Sequence, residues 1–364
     1  MNNDKILSII IPSYNMEAYL SKCLGSLVIA DKRLFQKLDV IVVNDGSKDN
    51  TSKIAHEFEV KYPSVFRVID KSNGHYGSCV NAALPIVEGE YVKVLDADDS
   101  FDTANLEEFI RFIESRVVEG RVAEVDVIFS DRGIVDGSGQ ISKPSRYPLP
   151  TNREFTLSEI IDAFPNGFSM HGITYKTELL RRINYKQLEG VCYTDTLWCF
   201  LPMANVRKGL YFNKLIYLYL IGRDGQSADM REVLKNFAMY IAVFDEMIYT
   251  YQTRKKELTD SGIKYLEYEI FLFLKLLYRI SVFHMSARAA VKQFSELDDY
   301  LRKFPDQIVG WSEQVTITRR FKLRYVSHLR RLRSMRLVYI MAIQILWRII
   351  GILAMIRQKI NYNG

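Results

Sequence analysis

Between residues 6 and 131, short and almost wholly apolar runs alternate with amphipathic stretches, and few folds accommodate that rhythm. The runs are LSIIIP (7–12), DVIVVND (39–45), FRVID (66–70), YVKVLD (91–96) and VDVIFSD (125–131). Each has strand length, and apolar side chains at nearly every position suit strands covered on both faces. The stretches near 16–29, 50–61, 76–87 and 103–118 read as the covering helices. A β-α-β-α order predicts a doubly wound, mostly parallel sheet with helices on both faces. In such a sheet ligands bind at the carboxyl ends of the strands.

The 364 residues leave room for two compact units and a tail. The Gly-, Ser- and Pro-rich stretch 136–153 closes the first half, and 154–220 is mixed, ending in the strand-like LIYLYLI (215–221). From about 229 to 304 the periodicity is helical. The expected organisation is an α/β domain over 1–221, with halves 1–131 and 154–221. A helical accessory region (222–318) and a tail (319–364) follow. No internal repeat or low-complexity segment interrupts it.

Apolar residues make up 48% and charged residues 25%, as in ordinary globular proteins. The net charge of +6 is concentrated in 319–336, where Arg319, Arg320, Lys322, Arg324, Arg330, Arg331, Arg333 and Arg336 occur with no acid between them. That pattern argues against a nucleic-acid-binding face. Cys23, Cys79, Cys192 and Cys199 have no metal or disulfide spacing and read as reduced thiols. The first apolar run, Ile6–Pro12, is too short for a signal peptide, so the expectation is cytoplasmic.

Four motifs fall where the carboxyl edge should be. PSYN (12–15) follows the first strand, with Tyr14 able to stack on a flat base and backbone groups of Pro12 and Ser13 at its edge; a plain turn is the competing reading. NDGSKDNT (44–51) ends the second strand, placing Asp45 at its tip to accept from a base N–H and Asp49 or Asn50 as a helix cap. NGHYGSCVNAAL (73–84) sets small residues around a helix start: Asn73, Gly74, Gly77 and Ser78 permit close approach of a phosphate, and His75 is a candidate diphosphate contact or simply a solvated loop histidine. YVKVLDADDS (91–100) ends in acids. If the strand geometry continues, Asp96 and Asp98 flank Ala97 on one side, and their repulsion is relieved by a hard cation, Mg²⁺ or Mn²⁺. Asp102 already suffices to cap the next helix, which leaves the acids at 96, 98 and 99 in excess.

The ordered set PSYN, DGSKDNT, N-G-x-x-G…N and D-x-D-D closely resembles the family-2 glycosyltransferases of GT-A fold, bacterial, non-processive and membrane-associated in type. The resemblance covers about 1–220. It implies a nucleotide-sugar donor, usually UDP-linked, and inversion at the anomeric carbon. It further implies that Asp45 holds the uracil, Asp96 and Ala97 the ribose side, and Asp98 the metal. The glycine-rich third motif departs from the commoner arginine-containing form.

Inversion requires one base to deprotonate the acceptor hydroxyl. CYTDTLWCFLP (192–202) offers Asp195 at a helix start, with Trp198 placed to stack on a sugar; the competing reading is an acid that stabilises the helix. In the family the base stands in a Glu-Asp pair, and here Thr194 replaces the Glu. His171 and Lys176 in SMHGITYK (169–176), and Arg223, Gln226 and Ser227 in GRDGQS (222–227), are candidates for diphosphate or acceptor contacts; a core histidine and an interdomain turn compete. The Q-x-x-R-W motif of processive synthases is absent, which favours transfer of one sugar per encounter.

Residues 337–356 form an apolar run long enough to cross a bilayer. Arg348 near its middle costs about 2.5–3.5 kcal/mol, which makes insertion marginal. Gln344 and Arg348 share a face at i, i+4, with Lys359 near that line. An interfacial anchor on anionic lipid through 319–360 is preferred, ahead of a spanning helix, a homo-oligomerisation helix and a soluble packing role. Attachment to the cytoplasmic face of the cell membrane would favour a lipid-linked glycan acceptor, as in envelope, capsule or exopolysaccharide synthesis. Among other classes, a Rossmann oxidoreductase is disfavoured by the missing G-x-G-x-x-G, and a sugar nucleotidyltransferase by the missing basic glycine loop. A non-catalytic membrane scaffold leaves the acids unexplained.

Overall fold

Four strands, β1 (Leu7–Ser13), β2 (Leu38–Asn44), β3 (Phe66–Asp70) and β4 (Tyr91–Val94), run parallel in the spatial order 3-2-1-4. β1 and β2 are central, and Ile9, Ile11, Val40 and Val42 are fully buried, as their unbroken apolar sequences require. The computed structural model describes residues 4–118, 125–136, 139–141, 144–164, 167–222, 230–318 and 322–362.

The remaining strands are β5 (Ser100–Phe101), β6 (Val127–Val135), β7 (Phe155–Thr156), β8 (Ile173–Lys176) and β9 (Lys208–Leu220). They extend the sheet in the order β4-β8-β6-β9-β5, with β7 on β9. β8 runs antiparallel to both β4 and β6, whereas β6 and β9 are parallel. The fold is α/β as expected, but the sheet is mixed rather than mostly parallel. The reversals come from β8, a four-residue run inside the stretch 154–220, and from β5 and β7, each antiparallel to β9.

Helix Thr103–Val118 packs Leu106, Phe109, Ile110 and Ile113 into the core beside Phe212 of β9, with the rings of Phe109 and Phe212 5.2 Å apart. Asp102 caps it by accepting from the Asn105 N–H at 2.9 Å. With Asp102 so used, the acids before it are free for other work. The first helix is shorter than expected, Leu20–Gly25, because residues 14–19 are occupied by a braced loop.

The chain divides into two compact units, Met1–Glu267 and Tyr268–Gly364, the boundary falling within helix Asp260–Phe283. In the second unit, helices Ala287–Leu301, Asp306–Glu313, Tyr325–Arg331 and Arg336–Tyr362 enclose Phe294, Leu301, Ile308, Leu329 and Ile340. Arg330 is buried there, donating to Asp298 Oδ1 at 2.6 Å, Ser312 Oγ at 2.8 Å and Tyr278 Oη at 3.1 Å. Arg336 donates to the Leu329 carbonyl at 2.8 Å and to Ser295 Oγ at 3.0 Å. Both guanidiniums are thus engaged by internal acceptors, Arg330 buried and Arg336 half-buried. Lys322, Arg324, Arg331 and Arg333 are exposed; Arg319 and Arg320 lie outside the described residues.

Helix Arg336–Tyr362 has two unlike faces. Ile340 and Ile343 are buried, Trp347 stacks on Phe283 at 4.9 Å, and Gln344 donates to the carbonyls of Val282 and Met285 at 2.7 and 3.1 Å. Val338, Met341, Ile345, Ile349 and Ile352 are exposed on the other face, with Arg348. Gln344 and Arg348 thus do not form one polar stripe, since the amide of Gln344 is spent on backbone carbonyls.

Candidate active site

The carboxyl ends of β1 and β2 are joined by their loops. Asn15 donates its N–H to Ser47 Oγ and accepts from the Lys48 N–H; Met16 N–H bonds Thr51 Oγ1 and Glu17 N–H bonds Asp49 Oδ2. Neither Asp49 nor Asn50 caps helix Thr51–Lys61 in the usual way. Asp49 binds the Thr51 N–H and hydroxyl, and the Asn50 amide reaches Glu17. Much of the DGSKDNT motif is thus a brace that presents Asp45 and Tyr14.

Asp45 is buried at the tip of β2. Its Oδ1 accepts from Lys71 Nζ at 2.7 Å and from the Gly74 N–H at 2.9 Å, while Asn73 Nδ2 donates to its carbonyl at 3.0 Å. Lys71, just beyond β3, is a site residue that the motif reading missed; its signal was its place at a strand's carboxyl end. A carboxylate has about four acceptor positions, so Asp45 retains capacity for a base N–H. Tyr14 is 43% exposed at the same edge. Ser13 is buried, its hydroxyl bonding the Ile11 carbonyl and its own carbonyl taking the Asp45 N–H, and Pro12 lies in the β1–β2 ladder opposite Val43.

The third motif does different work from that expected. A Cβ at Gly77 would stand 2.0 Å from the Leu188 carbonyl oxygen, so the glycine admits loop backbone rather than a phosphate. Ser78 is buried, bonding the His75 carbonyl at 2.7 Å and accepting from Lys71 at 2.8 Å. His75, with φ +64°, begins helix His75–Ala83, and its Nδ1 lies 3.5 Å from Cys192 Sγ. Its neighbour Tyr76 is the residue that reaches the acids, its hydroxyl donating to Asp96 Oδ1 at 3.0 Å.

β4 ends at Val94, and the Asp99 N–H bonds the Asp96 carbonyl at 3.0 Å. That turn replaces the continued strand assumed from alternation, and it brings residue 99, rather than 98, over residue 96. Asp96, Asp99 and His171 offer ligand atoms all within 4.8 Å of one another. Asp98 lies outside this group although its charge acts on Asp99. Ala97 is buried in the core and offers a donor no surface. Asp99 accepts from the Tyr217 hydroxyl and from the Leu220 N–H, each at 2.7 Å. Burial, together with the charges of Asp96 and Asp98, pushes its carboxyl well above the usual range.

His171 sits on the 3₁₀ turn Met170–Gly172. Its Nε2 lies 3.6 Å from Asp96 Oδ2, its Nδ1 bonds the Ser169 hydroxyl, and its ring packs against Tyr217 and Tyr219 at 4.5 and 4.8 Å. The expected core or phosphate-facing histidine is thus part of the acid cluster. Lys176 instead pairs with Glu90 at 3.5 Å. Beneath the cluster Lys93 is fully buried, and desolvation lowers its pKa to about 7.

Asp195 is the first residue of helix Asp195–Ala204. It is open to solvent by surface area, yet enough protein surrounds it to raise its pKa: burial acts first, the charge of Asp96 adds to it, and His171 opposes. The charges of Asp96 and His171 both act on it. Thr194 is buried, donating to Gln187 Oε1 at 3.1 Å. Trp198 cannot stack on a sugar. Its indole is 0% exposed, set edge-on to Tyr175 and Tyr185, because the inner face of this helix belongs to the core. Arg223, Gln226 and Ser227 lie outside the described residues.

A sheet of this order, with acids gathered where its parallel half ends, defines a GT-A fold. Residues 8–175 match the family described as glycosyl transferase family 2. A Mycoplasma pneumoniae protein, the uncharacterized glycosyltransferase MG060 homolog, is 34% identical over 249 residues, 66% of this chain and 77% of that one. The chain belongs to glycosyl transferase family 2, and it is a glycosyltransferase. The minor teichoic acid biosynthesis protein GgaB of Bacillus subtilis is 26% identical over 225 residues, covering 61% of this chain but only 23% of GgaB. The chain spans 53% of the uncharacterized glycosyltransferase MG025 of Mycoplasma genitalium, at 28% identity over 41% of its own length. Among solved structures, S. aureus TarS 1–349 in complex with UDP-GlcNAc has the same fold, with a TM-score of 0.63 and 20% identity over 94% of this chain and 91% of that one.

Proposed function

We propose that the chain moves one sugar from a UDP-sugar to a hydroxyl of a lipid-linked glycan, with inversion at the anomeric carbon and with a divalent cation. The observation that carries this reading is the meeting of Asp96, Asp99 and His171 where the parallel strands end; the charges of Asp96 and His171 also act on Asp195. Asp45 takes the uracil N–H and Tyr14 covers the base; Asp96 faces the ribose side. Two carboxylates and one imidazole form a donor set that fits Mn²⁺ or Mg²⁺. Their ligand atoms lie within 4.8 Å of one another, close enough for one ion. We therefore place the cation on Asp96, Asp99 and His171 rather than on Asp98. When bound, it would neutralise charge developing on the leaving nucleoside diphosphate.

Asp195 accepts the acceptor hydroxyl's proton while that oxygen attacks C1 from the face opposite the diphosphate. Burial, with the charge of Asp96 added, raises its pKa, which makes its carboxylate a stronger base than an ordinary aspartate's. The UDP-sugar assignment draws on the ligand in the TarS structure, and the envelope-glycan assignment on the name of GgaB.

The lipid-linked acceptor follows from the last helix. The stretch Arg333–Ala354 is long and apolar enough to cross a bilayer. One of its faces is committed to protein, so an in-plane position at the cytoplasmic face of the membrane suits it better than spanning. After Glu313 the sequence carries eleven Lys and Arg and no acid, which suits an anionic surface. The test is a screen of UDP-, GDP- and dTDP-sugars with and without Mn²⁺, reading nucleoside diphosphate release and the anomeric configuration of the product. Cation-dependent release of UDP with an inverted product is expected; no UDP-sugar turned over, or a retained configuration, would refute the proposal.

A further inference from the structure

The antiparallel register of β4 and β8 covers only Tyr91 with Lys176 and Val92 with Tyr175. Beyond it β8 continues on β6, through Thr174 and Ile173. At the opening, the Lys93 ammonium donates to the carbonyls of His171 and Ile173, at 2.7 and 3.0 Å. One carbonyl belongs to the 3₁₀ turn and the other to the first residue of β8, so a single side chain with several donors spans the junction of the two.

Lys93 is fully buried between Val92 and Val94, and among the described residues no carboxylate pairs with it. A buried ammonium without a counter-ion is costly, and an apolar side chain would fill a sheet interior without that penalty. What lysine adds is three donors on a long stem, enough to bridge two carbonyls across a gap between strands. One of those carbonyls belongs to His171. The same Nζ lies 5.9 Å from the ring centroid of Tyr217, whose hydroxyl donates to Asp99 and accepts the Asp96 N–H.

We propose that Lys93 is a positioning residue, which ties the backbone of His171 to β4 and thereby holds the imidazole against Asp96 and Asp99. It touches neither donor nor acceptor. The ring is already steered by Ser169 on Nδ1 and by two tyrosine faces, and Lys93 supplies the remaining constraint, on the backbone. This rests on the cation site proposed above.

The experiment measures Mn²⁺ binding by calorimetry in the presence of UDP, using the full chain as wild type, Lys93→Met, His171→Ala and the double variant. Thermal melts and UDP-sugar turnover are recorded alongside. Lys93→Met should weaken Mn²⁺ binding by about 10- to 100-fold, as loss of a partner that orients a ligand does. Binding of UDP without metal should be unchanged. In the His171→Ala background the same substitution should change Mn²⁺ binding by less than about twofold, because the ring it positions is gone.

Wild-type Mn²⁺ affinity in Lys93→Met, or an equal loss in both backgrounds, would overturn the proposal. Should Lys93→Met not fold, Lys93→Gln, which keeps a shorter donor, carries the same comparison. A wild type that binds Mn²⁺ with UDP but turns over no donor would sink the transfer reading and leave the Lys93 comparison intact. A wild type that binds no Mn²⁺ would overturn both.

Discussion

Asp195→Asn separates chemistry from structure more cleanly than any other change at this site. The amide matches the carboxylate in shape but cannot take a proton. Loss of a general base costs about 10²–10⁴ in rate, or about 3–5 kcal/mol of barrier. The structural cost is of another order. Asp195 is the first residue of its helix, and a negative charge there contributes about 0.3–1 kcal/mol. Against this, the amide removes repulsion from Asp96 and the penalty of burying charge. The two nearly offset, so melting should stay within about 1 kcal/mol of wild type. UDP binding should be preserved, since Asp45 and Tyr14 are untouched. In wild type, kcat/KM should fall on the acid side at a pH above the ordinary aspartate range, because the carboxylate must be ionised to act. The assay is UDP release across pH beside UDP titration and a thermal melt. Turnover within tenfold of wild type, or UDP binding lost in step with turnover, would remove Asp195 from this role.

Other perturbations discriminate equally well. Trp198→Ala should destabilise the first unit by about 3–5 kcal/mol in urea melts, with acceptor KM unchanged in the folded fraction, because the indole is core. Arg330→Met should cost about 3–5 kcal/mol by leaving Asp298 buried and underpaired, and Asp298→Asn added to it should recover part of the loss, both read by denaturant unfolding. His56 bridges Glu59 and Asp70, and the Asp70 bond first, then Glu59, raises its pKa. Its contribution, below about 1 kcal/mol at this exposed place, should be full below the unfolded histidine pKa and lost as pH rises through the higher folded value. His56→Ala should therefore lower stability at pH 6 and not at pH 9. Ile345→Glu with Ile349→Glu should abolish sedimentation with anionic vesicles while leaving the melt unchanged; undiminished binding would put the membrane surface elsewhere.

The parallel half of the sheet was legible because each element announces itself locally. An apolar run such as DVIVVN has no use except between two layers, and helix Thr103–Val118 follows its own cap at Asp102. β8 was not legible. Its four residues bury ITY between β4 and β6, but only the tertiary pairing distinguishes them from a loop with an apolar patch. The same limit applies to the basic tail. Charge density could be read from the sequence, yet Arg330 and Asp298 are 32 residues apart, and nothing local shows that they meet.

At the site the division follows the same physics. Asp45, Asp96 and Asp195 lie at element ends whose positions the sequence marks, so their neighbourhood followed from strand and helix boundaries. The expectation that Asp96 and Asp98 project to one side depended on strand geometry persisting past Val94, and the bond from the Asp99 N–H to the Asp96 carbonyl closes a turn there instead. Once the chain turns there, Asp99 accepts from the Tyr217 hydroxyl and from the Leu220 N–H. His171 then reaches the same point from a segment 72 residues further along, on a turn tied down by Lys93. Acids from one loop and an imidazole from a distant turn can be brought together only by the antiparallel return of β8 beside β4. The element hardest to see in the sequence is therefore the one that carries the chain back to the acid cluster, and the proposed cation site depends on that return.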